Sequence, residues 1–432
     1  MNTEICKRPR TIDRIVLLAT IGMFTVTCAS YTDETKEIRY AYRAESYDSA
    51  LSKIEESDIK EQDRNRLLYL LEKSMVLDRM GKREASRKEL LNADKTAEKL
   101  YRTSLAGDVA SFLYNDSTTD YAGEDYEKVA IHTMLALSFL DDNQLSNATV
   151  EARRINTLLN EINSFYEENK NRYAEDAFAR YLAAMIYEQK NETDNAIVDY
   201  KAALALYETS YSRNFATPVP DQLVQSLYDL LLKRGRTAEA KKLAERFDDS
   251  IKKTQSSDFG ELVVIHEVDT ISVKTNEEFV LPISNQVVRF SFPVIRSKSK
   301  SYYGRTGIAD GEKFHSGELV QFMDEIASGT LQDKRLRMMA KQGARLLLKG
   351  QITRQANENF GVLGWLAGNI YGAVTETADT RGWTLLPSAF YVTRERLKPG
   401  NHSLKIYTNG KLSQVRSYKV EKDKITFVRD FG

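Results

Sequence analysis

The 432-residue chain carries 62 basic and 62 acidic side chains, a formal net charge of zero, and 42% of its residues are hydrophobic. That length exceeds one ordinary domain and asks for at least two cores once any targeting segment is removed, while the composition excludes a disordered chain. Cys6 and Cys28 are its two cysteines, so a disulfide framework and zinc-finger spacing are excluded from the body.

Neutrality hides a split. From Glu261 onward there are 25 Lys+Arg against 18 Asp+Glu, a balance of +7, whereas residues 28–258 sum to about −9. An acidic first half and a basic second half point to an anionic partner for the latter.

At the amino terminus, Lys7, Arg8, Arg10 and Arg14 precede an apolar run of 12 residues from Ile15 to Val26. A helix of that length rises about 18 Å, short of a hydrocarbon core of roughly 30 Å, so residues 1–27 read as a cleavable signal peptide. Thr25-Val-Thr-Cys28-Ala-Ser30 resembles a bacterial lipobox, in which small residues precede a cysteine acylated on sulfur. The usual pattern has Leu three places before the cysteine and Gly or Ala just before it, where this chain has Thr25 and Thr27. The resemblance implies lipid on Cys28 and, because Ala29 rather than Asp follows, an outer-membrane lipoprotein facing the periplasm. Ordinary secretory cleavage nearby is the alternative. Acyl chains contribute about 0.8 kcal/mol per buried CH₂, enough for a stable membrane anchor.

From Tyr40 to about Lys253, apolar residues recur at i, i+3, i+4 and i+7, the pattern of amphipathic helices. Ala136-Phe139-Ala148-Ala152 and Ala184-Tyr187-Ala196-Tyr200-Ala203 repeat small and aromatic residues at matching offsets. Those offsets resemble the tetratricopeptide repeat, a hairpin of about 34 residues whose helices approach closely through small side chains. Weaker copies run from Leu67 to Ala93 and from Gln225 to Ala240, with Gly81 and Gly235 at the turns; a half-repeat lies at Tyr47-Asp-Ser-Ala50. The repeat domain is expected over 28–258, as scaffolding or with a concave groove for a peptide; a generic helical bundle is the plainer reading.

Gly123-Glu-Asp-Tyr-Glu127-Lys-Val, Leu135 to Leu140, Ala148 to Arg154 and Thr375-Glu376-Thr-Ala-Asp379-Thr-Arg381-Gly-Trp383 to Pro387 together resemble an uncharacterised family of proteobacterial tetratricopeptide-repeat envelope lipoproteins. The likeness spans nearly all of the mature chain. It implies a lipoprotein signal, a helical first half and a β-containing second half, with no established activity.

The second half, 259–432, alternates in the strand period over 260–266, 278–283, 287–292, 388–393, 403–407 and 415–420. Lys398-Pro-Gly-Asn401 and Thr408-Asn-Gly-Lys411 are turn sequences, the second a strong hairpin signal. Residues 333–349 read as a basic helix on which Arg337, Lys341 and Arg345 align, either as a solvated face or against lipid head groups, lipopolysaccharide or an acidic partner. Gly364, Gly368 and Gly372 then recur at the spacing of close helix pairing; a buried or pairing helix is expected, and interfacial insertion or an oligomer contact is the alternative. Glu376, Asp379 and Arg381 read as a structural ion-pair group, with acid–base catalysis the rival.

His132, His266, His315 and His402 are scattered, and neither a metal motif nor a nucleotide loop is present, so no catalytic residue, metal or cofactor is assigned. The basic and aromatic stretch Arg296 to Arg305 reads as a loop, and no nucleic-acid partner is expected of an exported chain. The fold class is α+β: a tetratricopeptide-like solenoid, then a small antiparallel β-containing domain with an inserted basic helix and a glycine-rich helix. The expected role is a non-enzymatic, membrane-anchored protein-binding scaffold or adaptor in cell-wall or outer-membrane assembly. A cell-wall or polysaccharide-acting enzyme and a structural subunit of an export assembly are the alternatives.

Overall fold

A computed structural model describes residues 31–106, 119–165, 172–252, 258–283, 286–299, 303–336 and 378–432. Cys28, Arg337, Lys341, Arg345, Gly364, Gly368, Gly372 and Glu376 lie outside the described residues.

The first half is helical: α1 (Tyr31–Glu34), α2 (Lys36–Arg43), α3 (Tyr47–Glu55), α4 (Asp58–Glu61), α5 (Arg66–Arg79), α6 (Arg83–Ala106), α7 (Asp125–Asp141), α8 (Leu145–Phe165), α9 (Ala177–Gln189), α10 (Thr193–Leu206), α11 (Asp221–Lys233) and α12 (Thr237–Arg246). Among the described residues these make five hairpins, α2/α3, α5/α6, α7/α8, α9/α10 and α11/α12, built on one turn. Glu45, Gly81, Asn143, Asn191 and Gly235 each take a left-handed conformation. Each donates its N–H to the carbonyl three residues back, and the next residue's N–H reaches five residues back, as Lys82 does to Leu77 and Gln144 to Phe139. That is the Schellman closure, which satisfies helix-end carbonyls. Five residues after each turn comes a small side chain that is fully buried: Ala50, Ser86, Ala148, Ala196 and Ala240. Smallness there lets the paired helices approach, the tetratricopeptide rule.

The strands are β1 (Gly260–Thr270), β2 (Lys274–Ile283), β3 (Gln286–Ile295), β4 (Gly307–Asp310), β5 (Lys313–Ser316) and β6 (Glu318–Phe322), then helix α13 (323–336), β7 (Pro387–Leu397), β8 (Gly400–Thr408), β9 (Lys411–Val420) and β10 (Ile425–Phe431). One sheet has the order β10-β1-β7-β6, a second β5-β4-β8-β9, and β2 pairs with β3. All pairings are antiparallel except β1 with β10, which is parallel and brings Glu261 opposite Ile425. The Asn409-Gly410 turn has positive φ at both residues, as a two-residue hairpin requires. The inserted helix starts at residue 323, ahead of the basic run that announces it.

The first sheet is covered on both faces, and its strand period sorts the side chains. Val263 and Ile265 of β1, Phe390 and Val392 of β7 and Ile425 of β10 join the helical core. The alternate residues Leu262, Val264 and Val428 meet Ile308, Leu404, Ile406 and Tyr418 of the second sheet. The molecule is thus layered as repeats, sheet, sheet, and the main core runs without interruption from Tyr31 to Ile425. The first helices α5, α7 and α9 carry the sign of this arrangement. They are buried nearly all round, including Leu67 to Leu71 in α5 and Tyr126 to Ser138 in α7, because hairpin partners cover one side and the sheet the other. The groove face expected to be open is therefore filled, at α7, α9 and their neighbours, by the chain's own strands, with the Phe178 and Phe390 rings 5.1 Å apart.

Candidate functional site at the repeat–sheet junction

Strand parity decides which charges face the repeats. On β1 the positions that alternate with Leu262, Val264 and His266 include Glu261 and Glu267; on β7 they include Arg394 and Arg396, and on β10 Arg429. All point at the first helices, whose last turns carry Asp78, Asp141, Glu188 and, one turn earlier on α11, Asp229. Carboxylates near helix carboxy-termini oppose the helix dipole, so each calls for a cation. Arg429 supplies it to Asp78 at 2.9 Å and to Asp141 at 3.5 Å, while holding Glu267 at 2.7 Å. Arg394 binds Glu188 at 2.9 Å and Tyr200 at 2.8 Å, and also pairs with Glu261. Arg396 pairs with Asp229. Burial alone would favour the neutral guanidinium, but Asp78 and Glu267 outweigh it and hold Arg429 charged well past its ordinary range. Much of the acid–base split between the halves is thus neutralised inside the chain.

Two of the four segments quoted for the resemblance, around Glu127 and Trp383, touch here. Glu127 forms a capping box with Glu124 at the start of α7. Its other oxygen accepts the backbone N–H of Trp383 at 2.8 Å, and Tyr121 donates its hydroxyl at 2.7 Å. One residue on, Thr384 donates its N–H and hydroxyl to Glu72 of α5 at 2.6 and 2.8 Å; Leu385 N–H and the Tyr31 hydroxyl complete the shell at 3.0 and 3.1 Å. Burial pushes the Glu72 carboxyl up to about 7 against these donors, and it raises Glu127 as well. Two buried glutamates from neighbouring hairpins therefore grip the segment that leads into β7.

Asp379 and Arg381 form the expected ion pair, at 2.7 Å, and Arg381 also donates to the carbonyl of Thr119 at 2.9 Å. Burial raises the Asp379 carboxyl, but Arg381 reverses this and holds it below the usual range. Lys274 joins Glu124 at 2.7 Å, with Lys334 of α13 at 3.6 Å from the same carboxylate. Both flanks of residues 337–377 are therefore rooted beside Glu124. So is the first described helix, α1: Thr32 donates its hydroxyl to the Lys274 carbonyl at 3.1 Å.

The four histidines are apart, as their spacing implies, yet His132 is not alone. It lies buried between Glu151 at 2.8 Å and Asp94 at 3.3 Å. Burial would lower it, but the two carboxylates lift it to about 9. His266, between the two sheets, contacts Thr408 and Thr393 at 2.9 and 3.0 Å. His315 pairs with Glu395, and His402 meets the Lys398 carbonyl at 2.7 Å. Among the described residues, no cluster of His, Cys, Asp and Glu has the arrangement of a metal site, and no helix is long and apolar enough to cross a membrane. Sequence reasoning missed Glu72, Glu188, Arg394 and Arg429; charged residues at regular positions within apolar strands were the available signal.

The fold and junction define a tetratricopeptide-like helical solenoid closed by a β-containing domain. No family model and no curated protein matches the chain. Among solved structures, it is similar to MamA of AMB-1 at 14% identity, covering 51% of this chain and 92% of that one with a TM-score of 0.31. It is also similar to kinesin light chain TPR-like repeats of Podosopora anserina, at 12% identity, 50% and 92% coverage and a TM-score of 0.32. The apo form of RapI matches at 14% identity, 56% and 59% coverage and a TM-score of 0.36. The tetratricopeptide-like assignment rests on the five hairpins themselves.

Proposed function

We propose that the chain is a non-enzymatic scaffold of the cell envelope, held to a membrane by lipid on Cys28 and recruiting a protein partner in cell-wall or outer-membrane assembly. The observation that carries the scaffold reading is the use of the repeats' two faces. The first helices α5, α7 and α9 pack on the sheet, and their carboxylates Asp78, Asp141 and Glu188 are consumed by internal pairs. The second helices α8 and α10 turn outward, and Val150 and Val198 occupy equivalent places on them, two residues after the buried alanines, with exposures of 46% and 65%. Exposed β-branched residues at matched positions on successive hairpins suit a partner that reads the array along its outer side.

The anchored reading rests on the lipobox resemblance at Cys28; four residues on, Thr32 is tied to the Lys274 carbonyl, beside the cluster of Lys274, Lys334 and Glu124. In this reading an acylated Cys28, three residues before Tyr31, holds the chain at the bilayer, and we propose Arg337, Lys341 and Arg345 as contacts for anionic head groups and Gly364, Gly368 and Gly372 as a helix-pairing face. Palmitate labelling and fractionation of wild type and Cys28→Ala test the anchor: label and membrane retention are expected only in wild type, and equal labelling of both contradicts it. Crosslinking in intact cells followed by mass spectrometry tests the scaffold, with one dominant envelope protein expected. Recovery of abundant bystanders alone contradicts it.

A further inference from the structure

Near Thr32 and Lys274, α2 and the β1–β2 connection form an open pocket of about 340 Å³ lined by Arg39, Arg43, Ile271, Ser272, Val273, Thr275 and Arg296. Its charge balance departs from that of the junction beside it. Arg381, Arg394 and Arg429 are each neutralised by carboxylates within 3.0 Å. Around the pocket, Arg39 donates to the Thr35 hydroxyl at 2.6 Å and has no carboxylate within 4.0 Å among the described residues. Arg43 donates to the Thr270 hydroxyl at 2.9 and 2.6 Å and lies 3.5 Å from Asp269, which is already paired with Lys298 at 2.8 Å. Arg296 is exposed and has no ionic partner among the described residues. Three guanidinium groups thus share one committed carboxylate. Burial lowers the affinity of Arg39 for its proton by more than the nearby Glu72 carboxylate raises it, and the Arg43 charge lowers it further.

Three guanidinium groups with one direct ion pair among them, Arg43 with Asp269, repel one another, and a bound anion offsets that repulsion. Guanidinium forks match the oxygens of phosphate esters, two parallel hydrogen bonds at a time, which a point-charge lysine does not. The volume suits a phosphate with a small attached group and is too small for a folded partner. We infer that this pocket is a phosphate-ester site, with Arg39 and Arg296 as its principal anion contacts and Arg43 setting the field behind them. Its natural source is a phospholipid head group or a soluble phosphate ester; the lipid source rests on the anchored reading above. Tyr40, on the same helix and 74% exposed, has the character of an aromatic at the head-group level.

The test uses the full-length chain carrying Cys28→Ala, so that acylation plays no part, compared with the same chain also carrying Arg39→Gln and Arg296→Gln. Calorimetric titration with inorganic phosphate and with glycerol 3-phosphate, and flotation with phosphatidylglycerol or phosphatidylcholine vesicles, supply the probes. The inference predicts saturable binding of at least one phosphate probe, weakened about tenfold or more in the double variant, whose circular dichroism is unchanged. Selective flotation with phosphatidylglycerol identifies the lipid source, and binding of glycerol phosphate without flotation identifies a soluble ester; either upholds the site. The Arg296→Gln single variant, which removes an exposed side chain, is expected to weaken binding and covers the case in which the double variant misfolds. Equal binding by wild-type and variant pockets, or binding of none of the probes, overturns the site. Neither result bears on whether Cys28 is acylated, which palmitate labelling decides.

Discussion

Arg429, on the last strand, holds the carboxylate of Asp78, at the end of the second hairpin's first helix, at 2.9 Å in a buried setting. Through Glu267 and Asp141 the same guanidinium ties α5, α7 and β1 together. Removing one member of a buried ion network leaves the others uncompensated, at about 3–5 kcal/mol. Arg429→Met should therefore lower stability by about that much in urea unfolding, with helical and sheet signals lost in one transition. A loss under about 1 kcal/mol, or two separate transitions, contradicts the account.

Glu72 makes stability depend on pH in a direction opposite to the usual carboxylate. Its folded-state value, about 7, lies above the ordinary 4.5, so between those values the folded chain retains a proton that the unfolded chain has lost. Its contribution is full below 4.5 and diminishes as pH rises through 7, by roughly 2–3 kcal/mol. The stability advantage of wild type over Glu72→Gln should be largest near pH 4.5 and smallest above pH 7 in denaturant titrations. The reverse trend contradicts the account.

His132 acts in a higher window. Lifted to about 9 from an ordinary 6.5, it binds its proton more tightly folded than unfolded, so its contribution is complete below 6.5 and disappears as pH rises through 9. Wild type and His132→Gln should converge in stability across that range, from a difference of about 3 kcal/mol. A constant difference would show that Asp94 and Glu151 do not hold the imidazolium.

The five turns were partly legible. Gly81 and Gly235 announce a left-handed residue and Ala148, Ala196 and Ala240 announce close packing, but Glu45, Asn143 and Asn191 reach the same backbone without glycine. Local chemistry also exposed the Asn409-Gly410 hairpin and the alternation of β1, β3, β7 and β8. Hidden was everything settled by distant partners. The four-residue strands β4 and β5 are too short to show a period, β10 mixes Arg429 and Asp430 into its apolar run, and the parallel pairing of β10 with β1 follows from no local rule. The acidic ends of the first helices carry no local sign of their partners Arg394, Arg396 and Arg429. Part of the charge split between the halves is met inside the chain by these pairs.

Those turns carry their own prediction. A non-glycine residue held left-handed costs about 1 kcal/mol, so Glu45→Gly should stabilise the chain by about 0.5–1 kcal/mol. Gly235→Ala, at φ 71° with open space around the added methyl, should destabilise it by about 1 kcal/mol. Chemical denaturation of the two variants measures both signs, and matching signs would contradict the shared turn.

The central claim is that the first-helix face belongs to the sheet and the second-helix face to a partner. Its most direct measurement is photo-crosslinking in intact cells from a reactive residue placed at Val150 or Val198, with Val415 on β9 as a control. The account predicts one and the same dominant envelope protein from Val150 and Val198 and its absence from Val415. Crosslinks to abundant bystanders from all three positions, or the same partner from Val415 alone, would contradict it.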